Sequence, residues 1–118
     1  MKSLIPHSVA VAVLSLASLQ FAWAAGGAQG DVAAAAKQKA DQLCASCHGA
    51  DGKTPVDPSY PILAGQYADY LVVALKAYKS GARKNPIMAG MAGPLTSAEI
   101  NALAAHYSSL PGPLSYER

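Results

Sequence analysis

The alternation of apolar and polar positions predicts helices joined by irregular loops. From Val32 to about Cys44, the apolar residues Val32, Ala36, Ala40 and Leu43 recur at helical spacing. Lys37, Gln38, Lys39 and Asp41 take the wet side of that segment. Asp31 stands where an N-cap belongs, after a flexible lead-in at Ala25–Gly30. The inner side is mostly alanine, a strong helix former small enough to let another helix approach closely. A second helix is predicted over Tyr67–Ser80, with an apolar stripe of Tyr67, Tyr70, Leu71, Ala74, Leu75 and Tyr78 and Gly81 as its C-terminal cap. Thr96-Ser97-Ala98-Glu99 is a capping box opening a third helix through Ile100, Leu103, Ala104, Tyr107 and Leu110. Pro111 and Pro113 end it, and a mobile tail to Arg118 is expected. Between these segments, His48–Gly52 should turn sharply and Lys53–Tyr60, with Pro55 and Pro58, should be irregular. Ala82–Pro94, with Asn85-Pro86 and Gly90 and Gly93, is expected to be a loop.

One apolar stretch does not fit this helical domain. Lys2, the run Val9–Leu19 and the small-x-small triplet Ala22-Trp23-Ala24 together have the form of a secretory signal cleaved near Ala24. A membrane anchor is the competing reading, but a spanning helix needs about 20 apolar residues. This run is shorter and carries Ser15 and Ser18. The expectation is therefore an exported, periplasmic protein with signal peptide 1–24, a single domain at 25–118 and no membrane anchor once the signal is removed. The 118 residues leave room for one domain, and a formal charge of +2 offers no broad cationic face for nucleic acid. A domain this small buries a limited core and often needs a covalent or metal staple.

Cys44-Ala45-Ser46-Cys47-His48 supplies that staple. The pattern C-x-x-C-H is the haem attachment motif. Two thiols three residues apart can reach the two vinyl groups of one porphyrin, and the following histidine then lies beneath the iron. Three other readings compete. A structural disulfide across two residues is tight and leaves His48 a coincidence. A redox dithiol needs a βαβ setting that the chain lacks. Zinc needs two further ligands, and beyond the leader only His106 is on offer.

The sixth iron position decides the class of chemistry. Met88 and Met91 are the only methionines besides Met1, and both fall in the predicted 82–94 loop, well placed to cross the opposite face of the haem. Spacing alone does not choose between them, and His106 is a rival that the last helix should place at the surface. On the histidine side, the Pro61 carbonyl is a candidate acceptor for the Nδ1–H of His48, although a proline there also simply stiffens a loop.

With CASCHGADG, YPILAGQYADYL, the run from Gly81 through RKNPIMAGM, and LTSAEINALAAHYSSL in view, the chain resembles the class I c-type cytochromes. It is most similar to small bacterial periplasmic members and to each half of their two-haem relatives. The resemblance covers nearly all of the sequence after the leader. It implies an all-α fold packed around one haem c, held covalently by Cys44 and Cys47 with His48 as proximal ligand. It favours Met88 as distal ligand, matches Pro61 to the proline that receives the histidine ring proton, and matches Leu63 to a residue packed on the haem. Gln66 and Arg83 fall where relatives line the haem edge and propionates. Two positions depart from the pattern: Ala36 or Lys37 stands where a glycine usually lets the first helix cross the last, and His106 stands where an aromatic is common.

These features lead to the expectation of a non-enzymatic one-electron carrier, with both ligands retained as the iron cycles between ferric and ferrous. Its expected partners are redox proteins: a periplasmic or membrane-bound dehydrogenase, a cytochrome bc1 complex or a terminal oxidase. A bound cytochrome subunit of a dehydrogenase or oxidase is the alternative. An open-site haem enzyme or gas sensor is a third reading, and no constellation of acid and base groups accompanies the motif to support it. Lys53, Lys76 and Lys79 are read as a solvated surface in preference to a steering patch.

Overall fold

The computed structural model describes residues 22–115, in which there are helices and loops and no strand. The expected leader up to residue 21 and the tail 116–118 lie outside these described residues. No described helix is long and apolar enough to cross a membrane.

Helix α1 runs Ala22–Lys39, then continues through a π-helical turn, Ala40–Cys44, into the short α2, Ala45–His48. The expected lead-in at 25–30 is therefore helical, and Asp31 is an interior helix residue instead of an N-cap. The physical reason is composition. Alanines at 22, 24, 25, 28 and 33–36 are the strongest helix formers, and a glycine costs only about 1 kcal/mol against alanine. The π turn was not legible from periodicity, and it has a geometric consequence. A four-residue step overshoots a full turn in an α-helix and falls short of one in a π turn. The two drifts cancel, keeping Ala36, Ala40, Cys44 and His48 along one stripe. Ala36 and Ala40 are buried, as is His48.

Gly49, at φ 83°, ends α2. The chain then folds back on itself: Val56 N–H donates to the Cys47 carbonyl at 3.1 Å, and Leu63 and Ala64 N–H donate to the Gly52 carbonyl at 2.8 and 2.9 Å. Gly52 has φ 66°, and a Cβ there would meet the Tyr107 ring at 3.0 Å. Glycine at 52 thus serves both the turn and the approach of the last helix. Helix α3, Ala68–Ser80, ends at Gly81 in the left-handed conformation, as its sequence predicted.

The expected loop at 82–94 contains a helix, α4, Pro86–Ala92. Asn85 is its N-cap, accepting from Met88 N–H at 3.0 Å, and Pro86 takes the first turn, where its missing N–H costs nothing. The asparagine–proline pair carried that signal, which the glycines beyond it obscured. Helix α5, Ser97–Ser109, opens on the expected capping box: Glu99 N–H donates to Thr96 Oγ1 at 3.2 Å and Thr96 N–H to Glu99 Oε2 at 2.7 Å.

Helix α1 packs on α5, and α3 packs on both α5 and α4. The shared core is Ala36, Ala40, Leu71, Leu95, Ile100, Leu103, Ala104 and Tyr107. Alanines at the α1 side permit the close crossing that a glycine would otherwise serve. Lys79 is not a free surface charge: its ammonium donates to the Gly93 and Leu95 carbonyls at 2.6 and 2.7 Å.

Replacing Thr96 by alanine should cost ~1 kcal/mol in the denaturant unfolding of the matured protein. Glu99 is held below the ordinary glutamate value, first by the Thr96 N–H, then by the Thr96 hydroxyl and more weakly by Lys39. A lowered carboxylate pKa stabilises the fold at neutral pH and loses that contribution as pH falls through it. A Glu99→Gln variant should therefore show a flatter acid limb in stability against pH.

Candidate functional site

Helices α2, α3 and α4 and the 60–66 loop surround a cavity of ≈ 490 Å³. Cys44, Cys47 and His48 line it, and α4 contributes Met88 and Met91. Tyr70, Leu71, Ala74, Leu75 and Tyr78 of α3 also line it. The apolar stripe of α3 thus faces mostly into the cavity: of its members only Leu71 is buried, and Tyr67 and Tyr70 are 47% and 49% exposed.

His48 is 6% exposed and its orientation is fixed from two sides. Its Nδ1 lies 2.8 Å from the Pro61 carbonyl oxygen. A carbonyl can only accept, so Nδ1 carries the proton and Nε2 is left with the lone pair. The Tyr60 ring meets the imidazole edge-on with centroids 6.2 Å apart. Loop 60–63 is brought there by the Gly52 carbonyl, which binds Leu63 and Ala64 from the turn that follows the motif.

The two thiols are free and half-buried. Burial pushes the Cys44 thiol up, opposed by a hydrogen bond with the Tyr107 hydroxyl and reinforced by Cys47. Burial likewise raises the Tyr107 hydroxyl well above its ordinary value. A dithiol oxidoreductase needs the reverse, a thiol with a depressed pKa. Among the described residues no cluster of three or more histidine, cysteine or acidic side chains could hold a metal ion, so the zinc reading finds no ligand set.

Met88 is half-buried and Met91 is 45% exposed, and both line the cavity. His106 packs against Tyr107 at 5.1 Å and does not border the cavity. Leu63 and Gln66 line the cavity, as does Arg83. The Arg83 guanidinium sits 4.9 Å over the Tyr78 ring. Sequence reasoning missed Leu43, Ile87, Leu95 and Leu103 as lining residues. Ile87 escaped because α4 was not foreseen. Leu43 and Leu103 belong to apolar patterns that are satisfied equally by a protein core, and Leu95 falls between the expected loop and the capping box.

The walls are largely apolar and carry two thiols, an imidazole and two thioethers, a donor set that suits a flat apolar group attached through the thiols. The family model for cytochrome c matches residues 33–111. A thiosulfate dehydrogenase electron acceptor of Thiomonas intermedia is 39% identical over 93% of this chain and 48% of its own length. Cytochrome c4 of Thiocapsa roseopersicina is 43% identical over 65% of this chain and 39% of its own. Cytochrome c-554(548) of Halomonas halodenitrificans is 43% identical over 64% of this chain and 94% of its own. The chain thus spans half or less of the first two relatives and nearly all of the third.

Because Asn85 ties the start of α4, Asn85→Ala should destabilise the matured protein by ~1 kcal/mol, whereas Asn85→Asp retains the cap. Denaturant unfolding of the two variants side by side checks this.

Proposed function

This chain belongs to the cytochrome c family, and from that premise we propose a periplasmic one-electron carrier with His48 and Met88 as axial ligands. The observation that carries the reading is the cavity with the C-x-x-C-H residues on one wall and the methionines of α4 on another. The family implies a covalently bound haem c, whose iron, when bound, supplies a one-electron ferric/ferrous couple.

The residues divide the work of holding it. Cys44 and Cys47 are the attachment points. His48 offers Nε2 to the metal while the Pro61 carbonyl holds its other nitrogen, which fixes the ring and increases its basicity. Met88 offers a soft, neutral thioether that favours the reduced state. Leu63, Leu71 and Leu75 give the walls an apolar lining. Neither ligand has to leave for an electron to pass, so little reorganises. An open-site catalytic function would require Met88 and Met91 both to stand aside, and His48 is the one histidine, with no aspartate or glutamate, among the lining residues.

The second reading concerns the donor. Similarity to a protein named thiosulfate dehydrogenase electron acceptor, extending over 93% of this chain, favours a periplasmic dehydrogenase as the source of electrons. A cytochrome bc1 complex or terminal oxidase is then a fitting destination. A permanently bound subunit of the dehydrogenase is the alternative arrangement.

Two measurements test the proposal. In the matured protein, Cys44 and Cys47 should resist alkylation under denaturing, reducing conditions, with chain mass raised by one haem. Two alkylated cysteines would sink covalent attachment. The dithionite-reduced protein should bind carbon monoxide weakly, and Met88→Ala should bind it readily while Met91→Ala behaves like wild type. Ready binding by the unmodified protein would overturn the carrier reading.

A further inference from the structure

Both methionines ride on α4, a helix of only 7 residues. A helix that short is not stable by itself and takes its position from what ties its ends. Asn85 ties the start. At the other end the chain passes from Ala92 through Gly93 and Pro94 to Leu95, where Pro94 has no N–H to offer and carbonyls beyond the helix are left to be paired. Lys79, in the last turn of α3, answers them: Nζ donates to the Gly93 oxygen at 2.6 Å and to the Leu95 oxygen at 2.7 Å. The cation also sits where the C-terminal ends of α3 and α4 carry partial negative charge. The ion pairs among the described residues are Lys37–Asp41 and Lys39–Glu99, so no carboxylate draws Lys79 away from these carbonyls.

We propose that Lys79 is a positioning residue for the methionine ligand: it clamps the exit of α4 to α3 and so keeps the thioether directed into the cavity. The proposal rests on the reading that a methionine of α4 is the distal ligand. Hydrogen bonds from a charged donor to carbonyls are stronger than neutral ones, and here one ammonium spans two carbonyls on either side of a proline. Without it, the 93–95 segment keeps the Gly93 N–H bond to the Ala89 carbonyl at 2.9 Å and the Leu95 N–H bond to the Ala92 carbonyl at 3.1 Å, and neither of these ties it to α3. The methionine side chains would then exchange more readily with an outside ligand, although the core that folds the protein is intact.

The experiment is a titration of the ferric, haem-loaded protein with imidazole, followed in the visible spectrum, alongside denaturant unfolding of each variant. Lys79→Met should bind imidazole roughly tenfold more tightly than wild type, the scale set by loss of a charged hydrogen bond. Lys79→Arg, which keeps a cationic donor, should stay near wild type. Ile100→Val weakens the buried core without touching α4 and should leave imidazole affinity unchanged while lowering stability. An unchanged affinity in Lys79→Met overturns the clamp, and so does a rise no larger than that of Ile100→Val. Met88→Ala separates the two levels of the argument. If it binds imidazole no better than wild type, the ligand assignment to Met88 fails, and the Lys79→Met shift still reports on whichever methionine of α4 is held.

Discussion

The hydrogen bond from His48 Nδ1–H to the Pro61 carbonyl is the contact on which the rest of this structure depends. It joins the end of the first helical segment to a loop 13 residues further on. It also decides a chemical question, because a carbonyl partner leaves only Nε2 able to act as a ligand. The surrounding backbone bonds exist to hold that loop in place. Gly52 gathers Leu63 and Ala64, Cys47 receives Val56, and the Tyr107 carbonyl receives Gly65 from the far side. The same Tyr107 presses its ring on Gly52 and its hydroxyl on Cys44. One buried tyrosine thus couples the last helix to the attachment motif and to the turn behind it.

The α4 side of the cavity is held by different physics. There the elements are short, and their ends are fastened by individual polar contacts: Asn85 at the start of α4 and Lys79 at its exit. The histidine side is fixed by a part-buried side-chain bond within a set of backbone bonds, the methionine side by single side-chain contacts, most of them exposed. Buried, fully paired networks are rigid, while solvent-exposed contacts open at lower free energy. The two sides of the site are therefore fastened differently, and the methionine side relies on the fewer, more exposed contacts.

The core between the helices is built mostly from small residues, with Ile100 the largest fully buried side chain. Alanines at 36, 40, 92 and 104 let the helices approach closely and leave the large apolar side chains of α3 directed at the cavity. Tyr70 and Tyr78 look misplaced as core residues and make sense as cavity walls. This arrangement fits a small domain that draws much of its apolar burial from a bound group in addition to its own side chains.

The sequence by itself determined the helical class, the capping box at Thr96, the left-handed cap at Gly81 and the attachment motif at Cys44, Cys47 and His48. Each of these is a short-range signal, settled by residues within a turn or so of one another. The tertiary structure decided what depends on distance in space: that the Pro61 carbonyl meets His48, that His106 stays away from the cavity, and that Lys79 serves the 93–95 carbonyls. It also decided two local matters that the sequence left misread. The helix begins earlier than Asp31 because alanine content outweighed a lone capping residue. The 86–92 segment is helical because an N-cap and a proline at the first turn outweighed its glycines. The π turn at 40–44 belongs here too, since the apolar period of that segment reads as plain α-helix while the structure sets Ala36 and Ala40 in the core with α5 residues across the turn.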